Sequence, residues 1–451
     1  MIHAIANRLP LGEAVLRSLK SVCSHSLLEQ VWHEHRGDCY TKKIGFPLLF
    51  HLVREALMEP AGSGHRSFER AIEDGRLQAS SSAPYKKLGR MPFPVSCGLV
   101  SAGSSRVQEL MPKTDSPLPA ELNNLTVINV DGKKIKHVFK RIKAARGLAG
   151  DIYGAKLLVA HHVASDTAIA MNADPDGERS DAPLLPGLLD QAREQTSGPR
   201  LWVADRQFGD TTTPWRFSDD GDFFLIRRNR KTSFHPDPDT PAITQTTDDG
   251  KTYVDQWGWL GAESNPKRLW VRQIHLRCPD GPDDVLLITD LWDADQYPAE
   301  ALLEAYRLRW RIETMFQVAT EVFSLNPLIG SSPEATAFQA ALCLLLFNLV
   351  QLIQAHVAAA QSRSRRSVST RNLYVDLQEE WIAWCKMLSL EETETVLGPE
   401  AGPDELRSQL AELLKTPWTE WWAKRPNGSN AGPRETRRIP GGHTSVYRLL
   451  T

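Results

Sequence analysis

AYRLRWRIETMFQ, residues 305–317, is the stretch from which the rest of the chain is read. It reads as helix, and on a helix Tyr306, Arg309 and Glu313 fall at i, i+3 and i+7, which is one face. That face carries a phenol, a guanidinium and a carboxylate, with Arg307 and Arg311 on its flanks. Leu308, Ile312, Met315 and Phe316 anchor the helix in a core. A glutamate among arginines is by itself more often ordinary surface than chemistry, so its neighbours must decide.

Downstream, AALCLLLFNLVQLI (340–353) is an apolar run of 14 residues interrupted by Asn348 and Gln351. A membrane span needs about 18–20, so the reading is a buried helix over 334–357. Upstream, DFFLIRR, KTYVDQW, RLWVRQIHLRC and DVLLITDLW, separated by Pro, Asp and Gly turns, form a β-rich insertion over 222–294. Before it, LTVINVD (125–131) is a strand ending on Asp131, with Gly132 allowing a tight exit. AKLLVAHHV and TAIAMNA form a hairpin turning at Ser165 and Asp166, LLPGLLDQARE is helical, and RLWVADR is a strand carrying Asp205 near its end. Strand, strand, strand, helix, strand is an α/β sheet, and active groups in open α/β sheets commonly lie at the C-terminal strand edge.

Residues 1–120 read as a helical N-terminal domain, with amphipathic helices over 12–33 and 44–80. A Ser/Pro/Gly-rich loop with a short helix or two comes next, over 80–120. The core is assigned to 121–221 and 295–358, with one long helix over 299–323. A C-terminal helical region and basic tail fill 359–451. With 451 residues, 41% hydrophobic and 24% charged, the chain has material for two or three domains. Six scattered cysteines with no CxxC spacing argue against a zinc site or a disulfide framework. No signal pattern opens the chain, so the expected location is cytoplasmic with no membrane contact.

A net charge of −2 argues against a uniformly basic nucleic-acid binder, but local basic clusters stand out. Lys133, Lys134 and Lys136 open one after Asp131, and Arg227, Arg228, Arg230 and Lys231 form a second. Arg363, Arg365 and Arg366 form a third, and Lys424, Arg425, Arg434, Arg437 and Arg438 a fourth. Three acids brought together would repel one another unless divalent cations neutralised them, and oxygen-only ligation favours Mg²⁺ or Mn²⁺ over zinc. Two such ions about 4 Å apart activate water or a 3′-hydroxyl and stabilise the leaving oxygen of a phosphodiester. His161 and His162 point to opposite faces of a strand and read as structural. Trp202, Trp270 and Trp310 read as core, and Trp418, Trp421 and Trp422 as packing for a small C-terminal helix.

Together these segments resemble a known family. YRLRWRIETMFQ is similar to the YR-x-RW-x-IE-x2-F phrasing, and Tyr306, Arg309 and Glu313 to the Y-x2-R-x3-E signature, of DDE transposases of the bacterial insertion-sequence type numbered four. VINVDG and WVADRQFGD resemble the segments carrying that family's two aspartates, and GDFFLIRRNR resembles the strand that comes next in its members. The resemblance covers roughly 40–350, with a fainter echo in GGHTSVYR.

It implies an RNase H-like mixed sheet with flanking helices, interrupted by a β-domain before the last acid. Asp131, Asp205 and Glu313 would be the catalytic, metal-binding triad for two Mg²⁺ ions, with Mn²⁺ as substitute. Tyr306 and Arg309 would hold a phosphate near the transposon end, and Lys133, Lys134, Lys136 and Arg227 would join the DNA surface. The implied reaction is cleavage of transposon ends, through hairpins in some members, and strand transfer into target DNA. The implied partners are double-stranded DNA and a second copy of the chain in a homodimer, acting at the bacterial nucleoid. One element departs: the family's lysine seven residues after the glutamate is Thr320 here. The alternatives are an RNase H-like nuclease without strand transfer and a domesticated protein that binds DNA without cleaving it.

Overall fold

The computed structural model describes residues 2–39, 44–58, 63–113, 116–135, 152–246, 250, 252–277, 284–323, 329–424 and 444–445. Helices α1 (Ile2–Ala6), α2 (Pro10–Val22), α3 (His25–His35), α4 (Phe46–Met58), α5 (Gly64–Glu73), α6 (Ser82–Leu88) and α7 (Phe93–Leu110) come first. Strands β1 (Thr126–Ile135), β2 (Ile152–Tyr153), β3 (Ala155–His162) and β4 (Thr167–Asp174) lead to α8 (Leu185–Glu194), β5 (Arg200–Ala204) and β6 (Phe223–Arg227). The next strands are β7 (Phe234–Pro236), β8 (Ile243–Thr246), β9 (Thr252–Leu260), β10 (Leu269–Leu276) and β11 (Val285–Thr289). They are followed by α9 (Ala299–Arg307), α10 (Trp310–Glu321), α11 (Pro333–Ala360), α12 (Thr370–Met387), α13 (Leu390–Leu397), α14 (Pro403–Leu413) and β12 (Thr444–Ser445).

One mixed sheet of ten strands, in the order β4-β3-β1-β5-β6-β11-β10-β9-β7 with β8 on β9, runs through the molecule. Within this sheet the β1–β5 and β5–β6 pairings are parallel and the others antiparallel. The β-rich stretch therefore extends the same sheet through the β6–β11 pair. Alternation along the central strands sorts the side chains. Ile128, Val130, Trp202 and Ala204 pack with Leu185, Leu188 and Leu189 of α8, whereas Val127, Leu201 and Val203 pack with Leu302 and Ala305 of α9.

Three sequence expectations are corrected at the level of elements. β1 does not end on Asp131: it continues to Ile135, held by β3 with Asp131 opposite Val159 and Lys134 opposite Lys156. The long helix expected over 299–323 is two helices broken at Leu308 and Arg309. The Asn129 side-chain amide of β1 donates to the Leu308 carbonyl at 3.1 Å. The backbone tightens there to three-residue spacing, with Arg309 N–H donating to Tyr306 O and Arg311 N–H to Leu308 O. The third correction concerns 80–120, where the expected loop holds α7, an 18-residue helix that buries Val95, Leu99, Val100 and Val107. Its serines and glycines read as loop but serve close packing, since Gly103 leaves the space that Leu345 of α11 fills.

The N-terminal helices share one apolar core with α10, α11, α12, α14 and the β3–β4 side of the sheet. α11 lies in its middle, long and apolar enough to cross a membrane yet buried within the protein. Its Asn348 accepts from Ala168 N–H at 2.8 Å and donates to Ala168 O at 2.7 Å, satisfying the backbone of edge strand β4. Among the tryptophans expected to be packed, Trp202 is buried, whereas Trp310 (64%) and Trp421 (56%) are exposed. Trp310 lies on the face of α10 opposite the buried Ile312, Met315 and Ala319.

Candidate active site

Pairing register assembles the first part of the site. Val130 of β1 lies beside Ala204 of β5, and Ala204 beside Ile226 of β6. The next residue in each chain segment is Asp131, Asp205 and Arg227, so the three follow one another across the sheet where the parallel pairing of β1, β5 and β6 ends. By alternation Asp131 lies on the α9–α10 side of the sheet, with Asn129. Asp131 accepts from Gly132 N–H at 2.8 Å, and Asp205 caps its own turn by accepting from Gln207 N–H at 2.8 Å.

The second part comes from the broken helix. Arg309 sits at the break and Glu313 on the first turn of α10. The Arg309 guanidinium donates to Glu313 Oε1 at 2.7 Å and lies 3.7 Å from Asp131 Oδ2, which ties α10 to β1. It also lies 5.7 Å from the Tyr306 ring centroid. Arg309 Nε is buried and has no partner among the described residues.

Electrostatics show how crowded the cluster is. Burial pushes the Asp131 carboxyl up to about 6. Arg309 and the Gly132 amide oppose the rise, and the negative Asp205 and Glu313 add to it. Burial also raises the Tyr306 phenol, against the pull of Arg309 and Arg227. Asp131 thus senses both of the other acids, and it shares the Arg309 guanidinium with Glu313. Their all-oxygen donor set has the chemistry that Mg²⁺ or Mn²⁺ takes. Among the described residues no three His, Cys, Asp or Glu side chains are gathered closely enough to enclose an ion. Arg309 stands between two of the three acids and carries the positive charge there.

A fourth carboxylate, missed in the sequence, backs this centre. Asp181 is 2% exposed and pairs with Lys156 of β3, itself 4% exposed. It fills the space beside the Cα of Gly132, so that glycine is required by packing within the strand and not by a chain exit. Burial raises the Asp181 carboxyl, Lys156 opposes the rise, and Asp205 adds to it. Only tertiary structure singles Asp181 out from the acidic run 173–181. Asn129, the residue that pins the helix break, was likewise silent in the sequence.

The remaining candidates are spread more widely. The Lys133 ammonium lies 5.7 Å from the Phe316 ring and that of Lys134 lies 4.9 Å from the Tyr153 ring, both on β1. Lys136 lies outside the described residues. Arg227 reaches Asp284 O at 3.5 Å. The Thr320 hydroxyl donates back to Phe316 O at 2.6 Å inside α10. His161 is buried between Asn129 and Asp166, with Nε2 2.8 Å from Asp166 Oδ1, and His162 Nδ1 lies 2.7 Å from Ser165 Oγ.

Comparisons with known proteins bear on this arrangement. Residues 123–349, half of the chain, match the family described as transposase DDE domain. The chain is also similar to a piggyBac transposase whose synaptic complex with hairpin DNA was solved by cryo-EM, at 9% identity. That match has a TM-score of 0.42 and covers 94% of this chain and 87% of the other, a likeness too slight to carry an argument. No curated protein sequence matches.

Proposed function

Because this chain belongs to the transposase DDE-domain family, we propose that it cleaves transposon DNA ends and transfers them to target DNA with Asp131, Asp205 and Glu313 as its catalytic acids. The observation that carries the proposal is that Asp131 and Asp205 each directly follow the paired Val130 and Ala204 of neighbouring parallel strands, with Glu313 linked to Asp131 through Arg309. The sheet order β4-β3-β1-β5-β6, with β1, β5 and β6 parallel, supports an RNase H-like core over 121–221 and 295–358. On this reading the strands after β6 are the insertion, residues 1–120 are a DNA-binding unit, and 359–451 are the C-terminal region.

The three acids would hold two Mg²⁺ ions, or Mn²⁺ in their place. Bound there, the ions would supply Lewis-acid activation of water or a 3′-hydroxyl and stabilise the leaving oxygen. The protein's own groups would do the rest. Arg309, released from Glu313, is positioned with the Tyr306 hydroxyl to grip a phosphate at the transposon end. Arg227, next to Asp205 across the sheet, would take the next phosphate, with Lys133, Lys134 and Lys136 along the backbone. Thr320 removes one cation from the insertion-sequence type-four pattern, so end binding would be weaker than in members with the lysine. Two copies would pair to bring two ends together, in a bacterial cytoplasm at the nucleoid.

The test is incubation of the purified chain with the DNA flanking its own gene and Mg²⁺ or Mn²⁺, beside Glu313→Gln. Metal-dependent cleavage at the element boundary, with joining, and loss of both in the variant are expected. Cleavage without joining would replace the proposal with a nuclease, and binding without cleavage with a protein that only holds DNA.

A further inference from the structure

We propose that the cleft between α10, the C-terminal end of α11 and the turn Arg365–Ser367 is a second anion site that grips a phosphodiester of bound DNA, separate from the acidic centre. The anion chemistry stands on the cleft itself; DNA as the source of the phosphate rests on the function proposed above.

The cleft has a volume of about 1020 Å³ and is lined by six cationic side chains: Lys113, Arg311, Arg363, Arg365, Arg366 and Lys424. Among the described residues its one lining carboxylate is Asp166, and that group is engaged by His161 at 2.8 Å. Glu420, outside the lining, lies 3.6 Å from Arg363. Several positive charges therefore face one space without matching negative charge. Burial lowers Arg311 and Arg365, Asp166 opposes the fall in both, and a neighbouring arginine adds to it.

Two of the guanidiniums are fixed in place beforehand. Arg311 donates to Val163 O at 3.0 Å, and Arg365 donates to Gln351 O at 3.3 Å and Gln351 Oε1 at 3.1 Å. Arg365 Nε is buried with no partner among the described residues. Planar guanidiniums present paired donors that suit the oxygens of a phosphate. α10 links the two sites, because Glu313 belongs to the acidic centre while Arg311, Thr314 and Met315 line the cleft. DNA crossing α10 would touch both.

The experiment measures binding of a fluorescent duplex by anisotropy across a salt series, using the full chain. Wild type is compared with Arg366→Gln/Lys424→Gln and Arg366→Lys; Arg366 and Lys424 are exposed, and thermal unfolding checks each fold. The double variant is expected to bind more weakly, with a salt slope shallower by roughly one unit for each phosphate it no longer neutralises. Arg366→Lys keeps most of the slope. An unchanged affinity and slope in the double variant overturns the proposal. Inorganic phosphate is titrated in parallel, and loss of its binding with no change toward DNA overturns the assignment to a nucleic acid. Wild type that binds DNA through the cleft but cleaves no ends would sink the proposed function and leave this site standing.

Discussion

Gly132→Ala tests how tightly the backing of the acidic centre is built. A Cβ at this position would lie 2.6 Å from Asp181 Cγ and nearer still to both carboxylate oxygens. Ordinary carbon–carbon contact is about 3.5–4.0 Å, so the Asp181 side chain would have to retreat by about 1 Å. It has nowhere to go, because Asp181 and its partner Lys156 are both buried in the body of the protein. Overpacking of this kind costs about 1–3 kcal/mol, and complete rupture of a buried ion pair about 3–5 kcal/mol. A partial retreat that stretches the pair should therefore cost about 2–4 kcal/mol. Urea unfolding followed by tryptophan fluorescence reads this as a lower midpoint. The cycle with Asp181→Ala isolates the cause: on that background the glycine substitution should cost less than about 0.5 kcal/mol. A change in wild type within about 0.5 kcal/mol, or an equal cost on both backgrounds, would refute the reasoning.

Three further outcomes are expected. Asn129→Ala strips the Leu308 carbonyl of its partner at the helix break and should cost about 1–3 kcal/mol in urea unfolding, with DNA cleavage falling further than stability predicts. Arg272 and Asp255 form a pair buried in the β-rich part, so Arg272→Met should cost about 3–5 kcal/mol, most of it recovered in Arg272→Met/Asp255→Leu; equal stability of the two variants would refute this. Burial holds the Asp290 carboxyl up at about 6 against an ordinary 3.8, so the folded chain binds this proton more readily than the unfolded one. The stability it contributes is present below about pH 4 and lost as pH rises through about 6. Asp290→Asn should therefore gain on wild type between those values, and parallel stability–pH curves would contradict it.

The helix face was legible because its three polar residues recur at helical spacing, and it outlasts the break because the tightened turn keeps Arg309 and Glu313 within 2.7 Å. The aspartates were legible because each closes a β-branched or apolar run. Their alignment with Arg227 was not, since register is fixed by pairing between segments remote in sequence. Asn129 and Asp181 were silent for the same reason: each acts on a group far along the chain. α7 was hidden by composition, its serines and glycines resembling a loop until Leu345 is seen against Gly103. Trp310 was misjudged because its apolar ring was weighed above its position, which helical spacing puts opposite the buried Ile312, Met315 and Ala319.

The burial of α11 on every side has a consequence for the order of synthesis. Helices α2, α4 and α7, which contribute to the core that encloses it, leave the ribosome before it does, so these partners already exist when it emerges, whereas α12 and α14 follow. A fragment trimmed to residues 123–349 would keep most of this helix and lose those partners. Such a fragment would come out of the cell as aggregate, and refolding it would require the first 110 residues supplied in trans.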